Sequence, residues 1–471
     1  MTRTVDVAIV GAGTAGLSAL REVRRETDDF VLIDAGDWGT TCAARGCMPS
    51  KALIEAANAL HRRHSFAEFG LRGAEGVSAD IPAVLARVRA LRDDFVKGPQ
   101  SVHRTLGDRA IAGRARLLAP DRLEVNGDVI HARAIILAPG SHPVVPGPWA
   151  ALGDRVLTSD TLFELPDLPR RIAVVGLGAI GVELAQALAR LGCTVTGFDA
   201  ADTVAGLRDP DMLATLLTVL EADMAVHLGA EVTVEDAGGG LRVTGGGRDV
   251  TVDAVLAALG RAPNVKGLGL ETLGVDLDAR GLPQVDPNTL RIGDLAVWMA
   301  GDANADRALL HEAADEGHIA GRNAVASDPQ PHCRRTPLSI VFCAPQVARV
   351  GTAPADCNPA TTATATVDFA RQGRARTMAS AHGRLTVAAD RRTGTLRGAE
   401  ICAPAGEHMA HLLALAVEQG LSVAAILAMP FYHPVLEEGL RSALRDLARE
   451  VGDAGSSDLS PCPPLGIAAL E

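Results

Sequence analysis

The sequence predicts an α/β fold with two Rossmann-like dinucleotide-binding domains, and three observations predict it. Two segments of the chain have the order strand, glycine-rich turn, helix, with GxGxxG turns at 11–16 and 176–181. An apolar strand leads into each turn. In each copy an aspartate closes the next apolar strand 23 positions after the first glycine, Asp34 in one copy and Asp199 in the other. This internal repeat is typical of two nucleotide sites in one chain.

The glycine pattern suits the pyrophosphate of a dinucleotide. The first glycine allows a tight turn, the second lets the backbone approach the phosphates, and the third allows close helix packing. The helix that follows supplies N–H donors and a positive dipole end to the anion. One such turn is weak evidence, because loop glycines and solvated aspartates can give the same letters. Two copies with matching aspartates favour nucleotide binding.

Composition limits the classes of protein that fit. The chain has 471 residues, enough for about three domains, with 47% hydrophobic and 22% charged residues. A net charge of -12 argues against nucleic acid and anionic membranes as partners. No run of 18 apolar residues occurs and the N-terminus enters a strand directly, so we expect a cytoplasmic enzyme that does not bind membranes. Eight cysteines are too sparse for a secreted disulfide scaffold.

Two cysteines follow the first glycine turn in the segment TTCAARGCMPSK at 40–51. A disulfide requires Cα atoms within about 7 Å, and Gly46 and Pro49 permit an irregular helix start that brings Cys42 and Cys47 together. Zinc normally has four ligands at closer spacing, and two unrelated buried cysteines are a second alternative. The motif as a whole favours a redox-active pair with no metal.

This segment resembles the redox-active segment of the class I pyridine nucleotide-disulfide oxidoreductases, in which a threonine precedes the first cysteine and Pro-Ser-Lys follows the second. Further motifs of that family continue in order to about residue 450. The resemblance implies FAD in the first domain, NAD in the second, a C-terminal α+β dimerisation domain and a homodimer. The implied domains are 1–142 and 265–330 (FAD-binding), 143–264 (NAD-binding), 331–452 (interface) and 453–471 (flexible tail).

The resemblance also assigns binding residues. FAD would contact Gly11, Gly13, Thr14, Ala15, Gly16, Asp34, Thr41, Lys51, Ala115, Gly140, Asp302, Leu310, His311 and Ala313. NAD would contact Gly176, Gly178, Ile180, Gly181, Glu183, Asp199, Val232 and Gly260. We expect Asp199 to favour NAD over NADP, because its charge repels a 2′-phosphate. Pro139 stands where the family has a threonine.

The catalytic residues implied by the resemblance are Cys42, Cys47, Lys51, Glu183, His433 and Glu438. Lys51 and Glu183 would pair beside the flavin. In the segment HPVLEE at 433–438, the histidine would act as acid and base on the disulfide of the other subunit. Histidine titrates near neutral pH, and a carboxylate on one ring nitrogen fixes its tautomer. Val435 and Glu437 replace the family's threonine and serine.

These features favour a divergent branch close to dihydrolipoamide dehydrogenase. Such an enzyme passes electrons from dihydrolipoamide, free or on a lipoyl-bearing carrier protein, through the cysteine pair and FAD to NAD. Asp199 opposes the NADP site of glutathione reductases, and the tail has only Cys462 where mercuric reductases have a cysteine pair. The alternatives are an NAD(P)H-dependent reductase of another disulfide or of mercuric ion, and a redox-sensing flavoprotein scaffold.

Overall fold

The computed structural model describes residues 2–36 and 38–452. The chain begins with a sheet and the helices that pack on it. In chain order these elements are β1 (Thr2–Val10), α1 (Thr14–Glu26), β2 (Phe30–Asp34), α2 (Thr41–Ala44), α3 (Cys47–His61), α4 (Ile81–Leu106), β3 (Ala110–Ala112), β4 (Ala115–Ala119), β5 (Arg122–Val125) and β6 (Asp128–Leu137). The strand order is β3-β2-β1-β6-β5-β4. β1 pairs in parallel with β2 and β6, whereas β4, β5 and β6 form an antiparallel meander.

The parallel part of this sheet is buried on both faces. Val7, Ala8 and Ile9 of β1 are fully buried, as are Val31 and Leu32 of β2. Continuous apolar runs of this kind are typical of parallel strands that are covered on two sides. Because neighbouring parallel strands end at the same edge, the glycine turn after β1 and the aspartate that ends β2 lie together.

A second domain follows, in which the same arrangement is repeated. Its elements are β7 (Ser141–Pro143), α5 (Gly147–Ala150), β8 (Val156–Leu157), β9 (Arg171–Val175), α6 (Ala179–Arg190), β10 (Thr194–Phe198), α7 (Pro210–Asp223), β11 (Ala225–His227), β12 (Val232–Asp236), β13 (Leu241–Gly245), β14 (Arg248–Val252), β15 (Ala254–Ala257) and β16 (Arg261–Pro263). The parallel sheet has the order β11-β10-β9-β15-β8, and β12-β13-β14 form a separate antiparallel sheet. β7 and β16 pair with each other, so the predicted domain boundary at 142/143 falls within this two-stranded ribbon and the one at 264/265 lies just past its end.

The chain then returns to the first sheet. β17 (Val297–Met299) pairs in parallel with β6, and α8 (Leu310–Val325) packs along α1. A Cβ atom on Gly317 would lie 2.1 Å from the carbonyl oxygen of Ala15, and one on Gly321 would lie 2.6 Å from that of Ala19. These two glycines therefore permit the close contact between α1 and α8.

The last domain is α+β. Its elements are β18 (Leu338–Val341), β19 (Gln346–Gly351), β20 (Thr362–Asp368), α9 (Gly373–Thr377), β21 (Arg384–Asp390), β22 (Leu396–Ala403), α10 (Gly406–Glu418), α11 (Val423–Leu427) and α12 (Glu437–Ala448). The antiparallel sheet has the order β18-β19-β22-β21-β20, and α10 and α12 bury their apolar faces on it. The predicted tail at 453–471, with Cys462, lies outside the described residues. Across residues 2–36 and 38–452, no helix has both the length and the apolar character needed to span a bilayer.

Candidate active site

The first glycine turn depends on its glycines for geometric reasons. Gly11 has a φ of +104°, and a Cβ there would lie 2.0 Å from the carbonyl oxygen of Ala138. A Cβ on Gly16 would lie 1.8 Å from the carbonyl oxygen of Gly11. A Cβ on Gly13, in contrast, would meet no described atom within 4 Å. The turn is therefore closed towards the protein and open on the side where a phosphate would approach.

The second glycine turn has the same shape. Gly176 has a φ of +93°, and a Cβ there would lie 2.3 Å from the carbonyl oxygen of Ala258. A Cβ on Gly181 would lie 1.7 Å from the oxygen of Gly176, whereas one on Gly178 would meet no described atom within 4 Å. No described side chain caps the N-terminus of α1 or α6. The first N–H groups of both helices can therefore donate to an anion.

Asp34 and Asp199, which lie at the end of the second strand of each copy, stabilise the two glycine turns by hydrogen bonds. Asp34 accepts hydrogen bonds from the N–H of Ala12 (2.6 Å) and of Gly36 (2.7 Å). Asp199 makes the same two contacts in its own copy, at 2.5 and 2.8 Å. A carboxylate has about four lone-pair sites, so each side chain can still accept a ribose hydroxyl. Val232 begins β12 just after Ala230, whose N–H donates to the carbonyl of Asp199.

A cavity of about 430 Å³ extends from the first glycine turn. The predicted FAD residues that line it are Gly11, Gly13, Asp34, Thr41, Ala115 and Gly140. Its other walls include Val96 and Gln100 of α4 and the residue Pro139 that replaces the family's threonine. A cavity of this size, lined by the first glycine turn and by the Asp34 carboxylate, suits the binding of a dinucleotide.

Asp302 lies at the end of a hydrogen-bond relay that the sequence did not indicate. The Ser141 hydroxyl donates to Asp302 Oδ2 at 2.5 Å, and Arg261 Nε donates to that hydroxyl at 2.8 Å. Arg261 also binds the Ser141 carbonyl and lies 3.5 Å from Asp160. Ser141 and Arg261 belong to the ribbon of β7 and β16. The available signal was a polar residue directly after each of two predicted cofactor contacts, Gly140 and Gly260.

A buried glutamate of α8, Glu316, holds the loop that carries Asp302. The sequence did not predict this residue. Glu316 of α8 is fully buried and accepts the N–H of Gly301 at 2.6 Å and the side-chain amide of Asn304 at 2.8 Å. Its other oxygen binds Arg334 at 2.8 Å. Burial raises the pKa of Glu316. The sequence offers no signal beyond a charged residue on the inner face of a helix.

The remaining predicted nucleotide contacts differ in exposure. Leu310 and His311 begin α8 and are exposed, and Ala313 is buried against the first domain. Ile180 is an exposed apolar residue in the first turn of α6. Gly260 has a φ of +94° with open space beside it, directly before β16. Thr14 and Ala15 form the first turn of α1.

The cysteine motif forms a break between two helices. Cys42 lies in α2, Cys47 is the first residue of α3, and Gly46 separates them with φ -122° and ψ -112°. A Cβ on Gly46 would lie 3.1 Å from the carbonyl oxygen of Thr41. The irregular helix start that the sequence predicted is therefore present. Both cysteines are free thiols, and their side chains share a hydrogen bond.

The two thiols differ in acidity. The hydrogen bond from Cys42 lowers the pKa of Cys47 to about 7, and the Lys51 ammonium one helical turn away lowers it further against the effect of burial. The same hydrogen bond raises the pKa of Cys42. Cys47 is therefore the thiol that ionises near neutral pH, while Cys42 keeps its proton. Among the described residues, no group of three or more His, Cys, Asp or Glu side chains is arranged to hold a metal ion.

Lys51 and Glu183 meet although 132 positions separate them. Lys51 Nζ donates to Glu183 Oε2 at 2.7 Å, and the other oxygen of Glu183 accepts the N–H of Phe342 at 2.7 Å. The Lys51 ammonium also lies 4.5 Å from the centre of the Phe342 ring. These contacts join α3, which begins with Cys47, to α6 and to the C-terminal domain.

Alkylation of Cys47 is expected to follow pH with a midpoint near 7, since the thiolate is the reactive form and its fraction rises as pH passes the pKa. Replacing Lys51 by methionine removes the positive charge and should shift the midpoint upward by about one unit. The measurement is the rate of iodoacetamide labelling of Cys47 against pH, read by peptide mass spectrometry. Lys97→Met, which removes an exposed lysine paired with Asp94, is the control. An unchanged midpoint in Lys51→Met would show that the charge of Lys51 does not lower the pKa of Cys47.

The C-terminal histidine has the orienting partner that the sequence predicted. His433 Nδ1 lies 2.9 Å from Glu438 Oε1, and the other oxygen of Glu438 accepts the N–H of Val435 at 3.2 Å. The bond with His433 lowers the pKa of Glu438. The His433 side chain is 80% exposed, and no hydrogen bond within the described part of the chain joins it to either redox cysteine. One chain by itself therefore does not assemble all of the predicted catalytic residues.

The chain was compared with known proteins. The family model of pyridine nucleotide-disulphide oxidoreductases matches residues 5–317, and the model of the dimerisation domain of these enzymes matches residues 338–444. Dihydrolipoyl dehydrogenase of Chlamydia trachomatis is 30% identical over 458 residues, which cover 93% of this chain and 96% of the relative. The enzyme of the same name from Thermus scotoductus is 31% identical and covers 95% of this chain and 98% of the relative.

Solved structures share the fold. The HOCl-induced flavoprotein disulfide reductase RclA of Escherichia coli, as its Cu(II) complex, has a TM-score of 0.82 at 24% identity and covers 94% of this chain and 99% of its own. LpdA of Mycobacterium tuberculosis has a TM-score of 0.81 at 27% identity and covers 94% of this chain and 100% of its own. The predicted fold class is thereby confirmed, and the matched dimerisation domain supports the predicted homodimer. The chain belongs to the pyridine nucleotide-disulphide oxidoreductases, flavoproteins that use FAD and NAD(P).

Proposed function

We propose that this enzyme oxidises the dithiol of dihydrolipoamide, free or attached to a lipoyl carrier protein, with NAD as the final acceptor. The observation that carries the proposal is the cysteine pair, in which Cys47 has the lowered pKa near the Lys51–Glu183 pair and Cys42 has the raised one. The names of relatives at 30 and 31% identity over nearly the whole chain support the choice of dithiol.

The thiol chemistry follows from the acidities of the two cysteines. One substrate thiolate attacks Cys42 Sγ in the oxidised enzyme, the Cys42–Cys47 bond breaks, and Cys47 leaves as a thiolate. The second substrate thiolate attacks the substrate sulfur of the mixed disulfide, so the substrate leaves oxidised and Cys42 is released and protonated. The raised pKa of Cys42 and the lowered pKa of Cys47 match these two fates.

A base must ionise the incoming dithiol. His433 of the partner subunit is assigned this role, because its ring is exposed and Glu438 orients it through Nδ1, which leaves Nε2 to accept a proton. The bound flavin supplies the two-electron chemistry that reoxidises the cysteine pair and passes a hydride to the pyridine nucleotide. Lys51 and Glu183 place a positive charge and its counter-ion next to that exchange.

Asp199 supports NAD as the coenzyme. Its carboxylate is fixed by two backbone N–H groups at the end of β10, where the adenosine ribose of a nucleotide on the second glycine turn would lie. Arg208, the basic residue that follows in the chain, pairs with Asp356 of the last domain at 3.0 Å. A 2′-phosphate at this position would therefore meet a carboxylate rather than an arginine.

The test is anaerobic mixing of the purified FAD-loaded protein with dihydrolipoamide, followed by NAD or NADP, with NADH or NADPH formation as the readout. We expect NADH to form, with a kcat/KM for NAD at least about tenfold above that for NADP, a difference of about 1.4 kcal/mol. If NADH or NADPH reduces the protein but dihydrolipoamide does not, the lipoamide assignment is wrong and another disulfide is the substrate. A preference for NADP would overturn the interpretation of Asp199.

A further inference from the structure

The loop between β18 and β19 contacts both members of the Lys51–Glu183 pair. Phe342 donates its N–H to Glu183 and presents its ring to the Lys51 ammonium at 4.5 Å. An ammonium over an aromatic face is stabilised by the ring, and more so when water is excluded. The position of Phe342 therefore helps to determine where the charge of Lys51 lies.

Gln186 holds this loop through its side-chain amide. Its Oε1 accepts the N–H of Ala344 at 2.7 Å, and its Nε2 donates to the carbonyl of the same residue at 2.9 Å. The backbone partners fix which end of the amide is oxygen and which is nitrogen. Gln186 is 3% exposed, so an apolar replacement would leave both backbone groups of Ala344 without water as a substitute partner.

The amide belongs to a polar stripe along α6. Glu183, Gln186 and Arg190 are three and four positions apart, so they share one face of the helix. Gln186 Nε2 also lies 3.3 Å from Asp223 Oδ2, which accepts from Arg190 Nε at 2.9 Å. Arg190 in turn donates to Asn58 of α3 at 2.7 Å. One face of α6 thus contacts both α3, through Glu183 and Arg190, and the Phe342 loop, through Glu183 and Gln186.

We propose that Gln186 is a positioning residue of the redox site, which holds Phe342 through Ala344 and thereby keeps the Lys51 ammonium beside Cys47. Gln186 itself contacts neither cysteine and acts through the loop. Lys51 is four residues after Cys47 on α3, where side chains meet one turn apart. The inference rests on the thiol chemistry of the proposed function and is independent of which dithiol the enzyme oxidises.

The test uses the FAD-loaded Gln186→Met variant, which keeps the length of the side chain and removes its hydrogen bonds. The protein is reduced with dithiothreitol, freed of reductant and labelled with iodoacetamide over a range of pH, and Cys47 labelling is read by peptide mass spectrometry. We expect the midpoint to move upward, but by less than the shift of about one pH unit expected for Lys51→Met, because the Lys51 charge is displaced and not removed. The assay contains no lipoamide, so its outcome is separate from that of the substrate assignment.

The chain offers a matched control in Asn323 of α8. Its side-chain amide holds a backbone in the same way, accepting the N–H of Gln330 at 2.9 Å and donating to the carbonyl of that residue at 3.0 Å, and it is 2% exposed. Asn323→Leu should lower thermal stability and leave the Cys47 midpoint unchanged. An unchanged midpoint in Gln186→Met, or an equal shift in Asn323→Leu, would overturn the proposal. If Gln186→Met does not fold, Gln186→Asn takes its place, because it keeps the amide but shortens its reach. We expect Gln186→Asn to move the midpoint in the same direction by a smaller amount. No shift in that variant would overturn the proposal.

Discussion

Dihydrolipoamide oxidation by NAD is expected to fall by at least about 10³-fold when Cys42 is replaced by serine, because a serine cannot form the mixed disulfide on which the exchange depends. The cysteine lies in a short helix before Gly46 and shares its proton with Cys47, so the change removes one sulfur and leaves the surrounding backbone in place. The measurement is steady-state NADH formation, with FAD content determined on the same samples.

The matched control for this change is Cys193→Ser. Burial raises the pKa of Cys193 to about 11, so that thiol is protonated and unreactive at neutral pH. Its replacement should leave kcat within about twofold, as is usual for substitutions away from a site. If Cys42→Ser retains more than about a tenth of the activity, which corresponds to a loss of only ~1.4 kcal/mol, the disulfide is not on the reaction path.

Replacing His433 by glutamine should lower kcat by about 10²–10⁴-fold, the usual contribution of a positioned acid or base. Glutamine keeps a polar side chain of similar reach but cannot take a proton. His408→Gln is the control, because His408 is another exposed histidine of the same domain, with 71% of its side chain accessible. The measurement is steady-state NADH formation with dihydrolipoamide, in which His408→Gln should keep kcat within about twofold of the wild type.

Mixed dimers decide whether His433 acts across the subunit interface. Each homodimer of Cys42→Ser or of His433→Gln lacks a complete site. A heterodimer of the two variants, isolated with two different tags, has one site with both groups intact if His433 serves the partner subunit's cysteines. We expect about half the wild-type activity per dimer, because one of two equivalent sites is restored. An inactive heterodimer would show that each histidine serves the cysteines of its own chain.

Features that depend on local backbone chemistry could be predicted from the residues alone. The glycine turns, the aspartates that follow them and the break at Gly46 were all predicted, because only certain residues permit these conformations within a few positions. The residues of α10 (Gly406–Glu418) likewise have the apolar spacing of an amphipathic helix. The pairing of His433 with Glu438 could also be predicted from the sequence, because only five positions separate the two residues.

Which distant side chains share a site depends on how the helices, sheets and domains pack together. Ser141 and Asp302 are 161 positions apart, and Glu183 and Phe342 are 159 apart, yet each pair is hydrogen-bonded. Nothing in the local pattern indicates such partners, because packing of separate helices and sheets sets the distance between them. Gln186 looks like any other polar residue of a helix, and its role emerges only where α6 meets the Phe342 loop. The two glycine turns and the cysteine pair could thus be recognised in the sequence. Their positions relative to one another depend on how the domains pack.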